Sequence, residues 1–190
     1  TASTGLDALT QCIEPYVGRR AQPIVDALAI EGIRRIARSL RRAWSAGDDS
    51  TAREDMALGS LLGGIALANA GLGAVHGFAS PLGGSFPVPH GVACAALLPH
   101  VMAANVRALR RDQPGSPTLA RYADVGEALA GQRLATAEET TDAGVKAVAD
   151  LCRDLEIPPL REFGLGPADV PDLVRRAEAA SSMRGNPVAL

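Results

Sequence analysis

All three histidines of this chain, His76, His90 and His100, lie in the interval between Asp55 and Arg107, which contains no formal charge. Imidazole is the commonest transition-metal nitrogen donor, and desolvation keeps it neutral and ready to bind. His76 and His90 are fourteen residues apart, each followed by glycine, and they bracket the Gly/Pro-rich stretch "GFASPLGGSFPVP". Ser80 stands four residues after His76. A second pair occurs in "TGLDALTQCIE", where Asp7 and Gln11 are four residues apart and share one face of a helix. Asp7 can supply the anionic oxygen that a transition-metal site built on two imidazoles needs. Each residue also has a plain structural reading. Thr4-x-x-Asp7 matches a capping box, Gln11 reads as a buried amide, and a histidine on an apolar face is commonly a hydrogen-bonded core residue. His100, after Pro99, is expected to be structural.

The elements that must position these residues are helical. No stretch alternates with period two, aromatics are 3% of the chain, and leucine and alanine dominate. The spacing predicts a helix from Thr4, closed by Pro15 and Gly18, and a second over Pro23–Ala46. The second carries an apolar stripe of Ile24, Leu28, Ile33, Ile36 and Leu40, with Arg34, Arg35, Arg38 and Arg41 facing water or a partner. Ser50 or Thr51 caps a third helix that runs to about Ala70, where Gly71 and Gly73 break it. A short turn or helix carries His76 up to Pro81. A loop then leads to a helix that starts near His90 and is interrupted at Pro99. Further helices are expected near Pro117–Gly131, Thr136–Leu155 and Ala168–Ala180. The fold class is therefore all-α, with about seven to nine helices, and residues 1–190 read as one domain.

Bulk properties narrow the partners. At 190 residues, 47% hydrophobic and 21% charged, the chain can bury a full core. A net charge of −2 and scattered arginines give no basis for nucleic acid or an anionic membrane surface. Met56–Val75 is uncharged and contains Gly59 and Gly63 in GxxxG spacing. Ser60 and Asn69 interrupt it and no basic cluster flanks it, so it reads as a helix buried on all sides of its own domain rather than a membrane span. Cys12, Cys94 and Cys152 are odd in number without CxxC spacing, which fits a reducing cytoplasm. The opening "TASTGLDALTQ" and the closing "SSMRGNPVAL" suggest part of a larger polypeptide.

Two nucleotide motifs fail. "GLGAVHG" follows a helix, and His76 occupies the place of the third glycine of a dinucleotide fingerprint. There is no Walker loop and no GxSxG elbow. In contrast, "TGLDALTQCIEPYV", "NAGLGAVHGFASPLGGSFPVPHGVACAALLPHVMAAN" and "SSMRGNPVAL" together resemble the C-terminal helical half of iron-containing (group III) alcohol dehydrogenases. That family is similar in fold to dehydroquinate synthase, with an N-terminal nucleotide-binding α/β domain, absent from this chain, ahead of a helical one. The resemblance implies a divalent iron or zinc held by one Asp and three His. The Asp falls on Asp7 and two of the His on His76 and His90. The first family histidine is Gln11 here, and a further histidine near the substrate is Ser80.

The implied chemistry is NAD(P)-dependent interconversion of an alcohol with an aldehyde or ketone. The cation sits on Asp7, His76 and His90 with Gln11 as fourth donor and acts as a Lewis acid on the substrate oxygen. Ser80 passes a proton, and an apolar loop over Gly77–Val88 excludes water. The resemblance implies a small-molecule alcohol or aldehyde substrate and a homo-oligomer such as a dimer, with this chain inactive by itself. A neutral amide is a weaker donor than imidazole. A metal-independent reductase of the maleylacetate type, or a non-catalytic helical interaction module, therefore stands as an alternative.

Overall fold

A computed structural model describes residues 1–189. It contains eight α-helices: α1 (Ala2–Val17), α2 (Pro23–Ser45), α3 (Ser50–Ala70), α4 (Ala74–Ser85), α5 (His90–Asp112), α6 (Pro117–Ala130), α7 (Ala137–Asp154) and α8 (Val170–Glu178). Short 3-10 turns occupy Leu160–Phe163, Pro167–Asp169 and Ser181–Gly185, and no strand occurs among the described residues. The architecture is all-α, as the helical spacing requires.

The central element is α1, which packs against α2, α3, α5 and α6. Leu6, Leu9, Cys12 and Ile13 on α1 are fully buried and join one apolar cluster that reaches every helix. Several boundaries differ from the sequence reading for identifiable reasons. Helix α1 begins at Ala2, so Thr4 is already inside it; its hydroxyl donates to the Thr1 carbonyl and the Thr4–Asp7 capping box does not form. Pro15 lies inside α1 rather than ending it, and Pro81 lies inside α4, which extends to Ser85 instead of stopping short. Helix α5 likewise runs unbroken through Pro99. A proline there removes the donor for the carbonyl four residues earlier, and the Cys152 thiol of α7 donates to that Ala95 carbonyl at 3.3 Å.

On α2 the buried stripe is Val25, Ala29, Ile33, Ile36 and Leu40, whereas Ile24 is 78% exposed, because the phase of the helix is set by its tight approach to α1 and α3. Helix α3 is not buried all round. Its Gly59 and Gly63 face meets α1 and α2, while Leu61 and Ile65 on the other side are exposed. Helix α5 is long and apolar enough to cross a membrane, yet it packs against α1, α4, α6 and α7. The third helix is capped by Asp49, whose carboxylate accepts from Ala52 N.

The arginine face of α2 finds its partner within the chain. Asp55 of α3 is buried and accepts from Arg35 Nη1 (2.9 Å), Arg38 Nε (2.8 Å) and Ser39 Oγ (2.6 Å). Hydrogen bonding from Arg38, followed by that from Ser39, outweighs burial and holds the Asp55 carboxyl well below the usual carboxylate range. Charge-assisted bonds of this kind stabilise by about 1–3 kcal/mol after allowing for the solvent-exposed Arg38. Asp55→Asn should lower the midpoint of thermal unfolding at neutral pH. A depressed pKa contributes stability above the unfolded value near 3.8 and loses it as pH falls through the folded value. The gap in melting temperature between wild type and Asp55→Asn, followed by circular dichroism, should therefore narrow on acidification.

Candidate metal centre

Three helices converge at the site. Asp7 and Glu14 lie two turns apart on α1, with Gln11 between them on the same side of the helix. His76 is the third residue of α4, and His90 is the first residue of α5, with Cys94 one turn further on. The start of α4 is held from outside the helix. Glu14 Oε1 accepts from Val75 N at 2.7 Å, and Asn186 Oδ1 accepts from Ala74 N at 3.2 Å, satisfying two of the donors that a helix start leaves free. A Cβ at Gly73 would lie 2.9 Å from Glu14 Oε1, so only glycine lets this carboxylate reach the helix. The start of α5 sits equally close to α1: a Cβ at Gly91 would lie 2.7 Å from the Ser3 carbonyl oxygen.

That packing brings four side chains together. The ligand-type atoms of Asp7, His76, His90 and Cys94 all lie within 4.8 Å of one another. Asp7 Oδ1 is 3.3 Å from His76 Nε2 and 3.8 Å from His90 Nε2. Cys94 Sγ is 3.8 Å from His76 Nε2 and 3.5 Å from His90 Nε2. The two imidazole rings are tilted 49° to each other with centroids 5.5 Å apart. His76 Nδ1 contacts Glu14 Oε2 at 2.7 Å. A carboxylate there accepts the Nδ1 proton and turns Nε2 towards Asp7, the arrangement of an imidazole whose Nε2 proton a metal ion would replace while the outer partner holds the ring.

Asp7 Oδ1 is buried and accepts no hydrogen bond. A buried carboxylate oxygen without a well-formed hydrogen bond is costly, and the two imidazole nitrogens 3.3 and 3.8 Å away stand where a shared cation would bind all three. The electrostatics agree. Burial works against a charged His76, but contacts with Asp7 and Cys94 and the bond to Glu14 outweigh it and push its pKa up to about 12. Burial would raise the Asp7 pKa, yet the neighbouring His76 and the charge of His90 hold it below the ordinary value. Burial pushes the Cys94 thiol up. Two carboxylates against one imidazole thus form a pocket that draws positive charge, and its donors suit a divalent transition-metal ion. His76 and Asp7 are mostly buried, whereas the His90 side chain is 55% exposed, so the centre is open on one side rather than dry throughout. His90 begins its helix and has no preceding turn to cover it.

The remaining candidates, Gln11, Ser80 and His100, do not join this cluster. Gln11 is partly buried on α1, with its Cβ beside Gly63 of α3, and its amide makes no hydrogen bond to a described residue. Ser80 is one turn beyond His76 on α4 and is exposed. His100 is exposed on α5, away from the cluster. The expected apolar loop is instead largely helix α4, whose Gly77, Ala79, Pro81 and Leu82 are buried. Sequence reasoning missed Glu14 and Cys94. Glu14 was detectable as a carboxylate seven residues after Asp7 on an otherwise apolar face, and Cys94 as the residue one turn after His90.

The whole chain, residues 1–190, matches the family model described as "Fe-containing alcohol dehydrogenase family, C-terminal". It belongs to that family and corresponds to its C-terminal part. It is 44% identical over 191 residues to 1,3-propanediol dehydrogenase of Klebsiella pneumoniae, covering 98% of this chain and 46% of that protein. It is also 44% identical to lactaldehyde reductase of Escherichia coli K12, covering 98% of this chain and 46% of that protein. Among solved structures, a 1,3-propanediol oxidoreductase superposes with a TM-score of 0.90 at 39% identity, over 99% of this chain and 47% of that one. Maleylacetate reductase from Agrobacterium tumefaciens superposes at 0.76 with 28% identity, over 94% of this chain and 46% of that one. The chain thus spans about half the length of the relatives it matches.

Because Glu14 both holds the His76 ring through Nδ1 and anchors α4, Glu14→Gln should keep the fold but loosen the site. Zinc affinity, measured by chelator competition, should fall by roughly 10–100-fold, the usual cost of losing an outer partner. Unchanged affinity would show that His76 needs no such support.

Proposed function

We propose that the full-length protein is an NAD(P)-dependent alcohol dehydrogenase of the iron type, interconverting a small alcohol with its aldehyde or ketone. In this reading, residues 1–190 form its metal- and substrate-binding helical domain. The nucleotide-binding domain lies in the half of the relatives' length that this chain does not span. The observation that carries the proposal is the convergence of the buried Asp7 Oδ1 with the Nε2 atoms of His76 and His90, 3.3 and 3.8 Å away. Asp7, His76 and His90 hold the ion, with the Gln11 amide oxygen as the weakest donor of the family-matched set. Bound there, a divalent iron or zinc supplies Lewis acidity that polarises the alcohol or carbonyl oxygen.

The chain's own residues do the rest. Glu14 fixes the His76 ring through Nδ1 and leaves Nε2 facing the centre, where a bound cation would take the place of the Nε2 proton. The open side at His90 admits substrate and nicotinamide. The buried flank of α4 keeps water from the opposite side, which strengthens electrostatic interactions within the site. Ser80, exposed one turn along α4, exchanges a proton between substrate and solvent less effectively than an imidazole, because a hydroxyl titrates far from neutral pH. The names of the matched relatives, a propanediol dehydrogenase and a lactaldehyde reductase, support a short hydroxylated substrate. Three unpaired cysteines suit the cytoplasm.

A second reading has its own support: Gln11 stands where the resemblance expects an imidazole, and a maleylacetate reductase superposes well. On that reading the two histidines bind a substrate carboxylate and no metal is needed.

Full-length protein purified without chelator should contain near-stoichiometric divalent metal by element analysis. His76→Ala and His90→Ala should lose it, together with about 1,000-fold or more of the alcohol-dependent NAD(P) reduction, since Lewis-acid stabilisation is worth several kcal/mol. Gln11→His should bind the metal more tightly. Full turnover in metal-stripped protein would favour the maleylacetate-type reading instead.

A further inference from the structure

We propose that Cys94 is a ligand of the metal centre, its thiolate supplying the strong fourth donor that Gln11 cannot, and that this donor set turns the site towards zinc. The inference rests on the reading of Asp7, His76 and His90 as a metal site and adds a residue that the family resemblance does not assign. Cys94 lies one turn after His90 on α5, so both side chains face α1 and α4 together. It is fully buried, and its sulfur has both Nε2 atoms within 3.8 Å.

The separations match a common centre. Zinc binds nitrogen or carboxylate oxygen at about 2.0–2.1 Å and thiolate at about 2.3 Å, so tetrahedral donors stand roughly 3.3 Å apart for a nitrogen–oxygen pair and 3.5 Å for a nitrogen–sulfur pair. The observed nitrogen–oxygen separations are 3.3 and 3.8 Å, and the nitrogen–sulfur separations are 3.8 and 3.5 Å. Four of the six donor separations thus lie within about 0.5 Å of tetrahedral values, and all six are within 4.8 Å. Coordination releases the thiol proton to solvent and forms the sulfur–metal bond.

The second observation is that Asp7 Oδ1, in the same cluster as the sulfur, is buried without a well-formed hydrogen bond. A neutral amide is a poor donor to a borderline-soft ion, and thiolate combined with imidazole favours zinc. Replacing the amide by sulfur keeps four protein donors and still permits a substrate oxygen as a fifth, since catalytic zinc expands to five-coordinate. Three other surface features stand apart from this centre: the cleft lined by Arg20 and Arg184, the apolar groove by Pro99 and Cys152, and the exposed face of α3. Each lacks an observation that identifies what it would bind.

The full-length protein loaded with cobalt(II) in place of zinc tests the proposal. Wild type should show a thiolate-to-cobalt charge-transfer band in the near ultraviolet in addition to visible ligand-field bands. Cys94→Ser should keep the visible bands, lose the charge-transfer band and bind zinc about 100-fold or more weakly. X-ray absorption at the zinc edge of the wild type makes the test independent of whether the variant folds: a sulfur scatterer near about 2.3 Å is expected. Visible cobalt bands with only nitrogen and oxygen scatterers would overturn the role of Cys94 and leave the metal site standing. Failure of the wild type to bind either ion would overturn both.

Discussion

One buried carboxylate ties the centre to the fold. Glu14 accepts from the Val75 amide with one oxygen and contacts His76 Nδ1 with the other, both at 2.7 Å. The same side chain therefore fixes where α4 begins, how it sits against α1 and which nitrogen of His76 faces the centre. A carboxylate removed from water needs such partners to offset its desolvation, so site and helix junction stabilise each other. Glycine at position 73 leaves the space for that approach, and the Asn186 amide completes the junction from the C-terminal segment. Asn186 is anchored in turn by Asn105 of α5, whose amide nitrogen donates to Asn186 Oδ1 at 3.0 Å. The segment that closes the chain thus reaches α4 and α5, the helices that carry both histidines.

Much of this was legible in the residues. Apolar periodicity gave the helix count and most boundaries, because glycine pairs and N-terminal prolines act locally. Asp7, His76 and His90 stood out because acidic and imidazole groups in uncharged surroundings need a reason to be there, and the structure brings their donor atoms to one point. The misreadings share a cause. Pro15, Pro81 and Pro99 break helices by local preference, but tertiary packing carried all three helices through them, and at Pro99 a thiol from α7 takes up the freed carbonyl. The Thr4–Asp7 capping box lost to an earlier helix start, which left Asp7 inside α1 and available to the site.

Glu14 and Cys94 were less visible because their roles come from tertiary proximity. Glu14 reads from sequence as an ordinary helical acid, and Cys94 as one small apolar residue within "GVACAALLPH". Only the meeting of α1, α4 and α5 makes one the support of His76 and the other a neighbour of both imidazoles. Departures from a family pattern are easy to read as losses. Here Gln11 in place of an imidazole coincides with a buried sulfur beside the same centre, so ligand number has to be judged in three dimensions. The open side at His90 leaves the cluster accessible from solvent.

The most direct measurement of the central claim is anomalous diffraction, at the metal's absorption edge, from crystals of the full-length protein. The account predicts a single strong peak within bonding distance of Asp7 Oδ1, His76 Nε2 and His90 Nε2. An anomalous map with no peak there, or with the metal bound elsewhere and Asp7 turned to solvent, would contradict it.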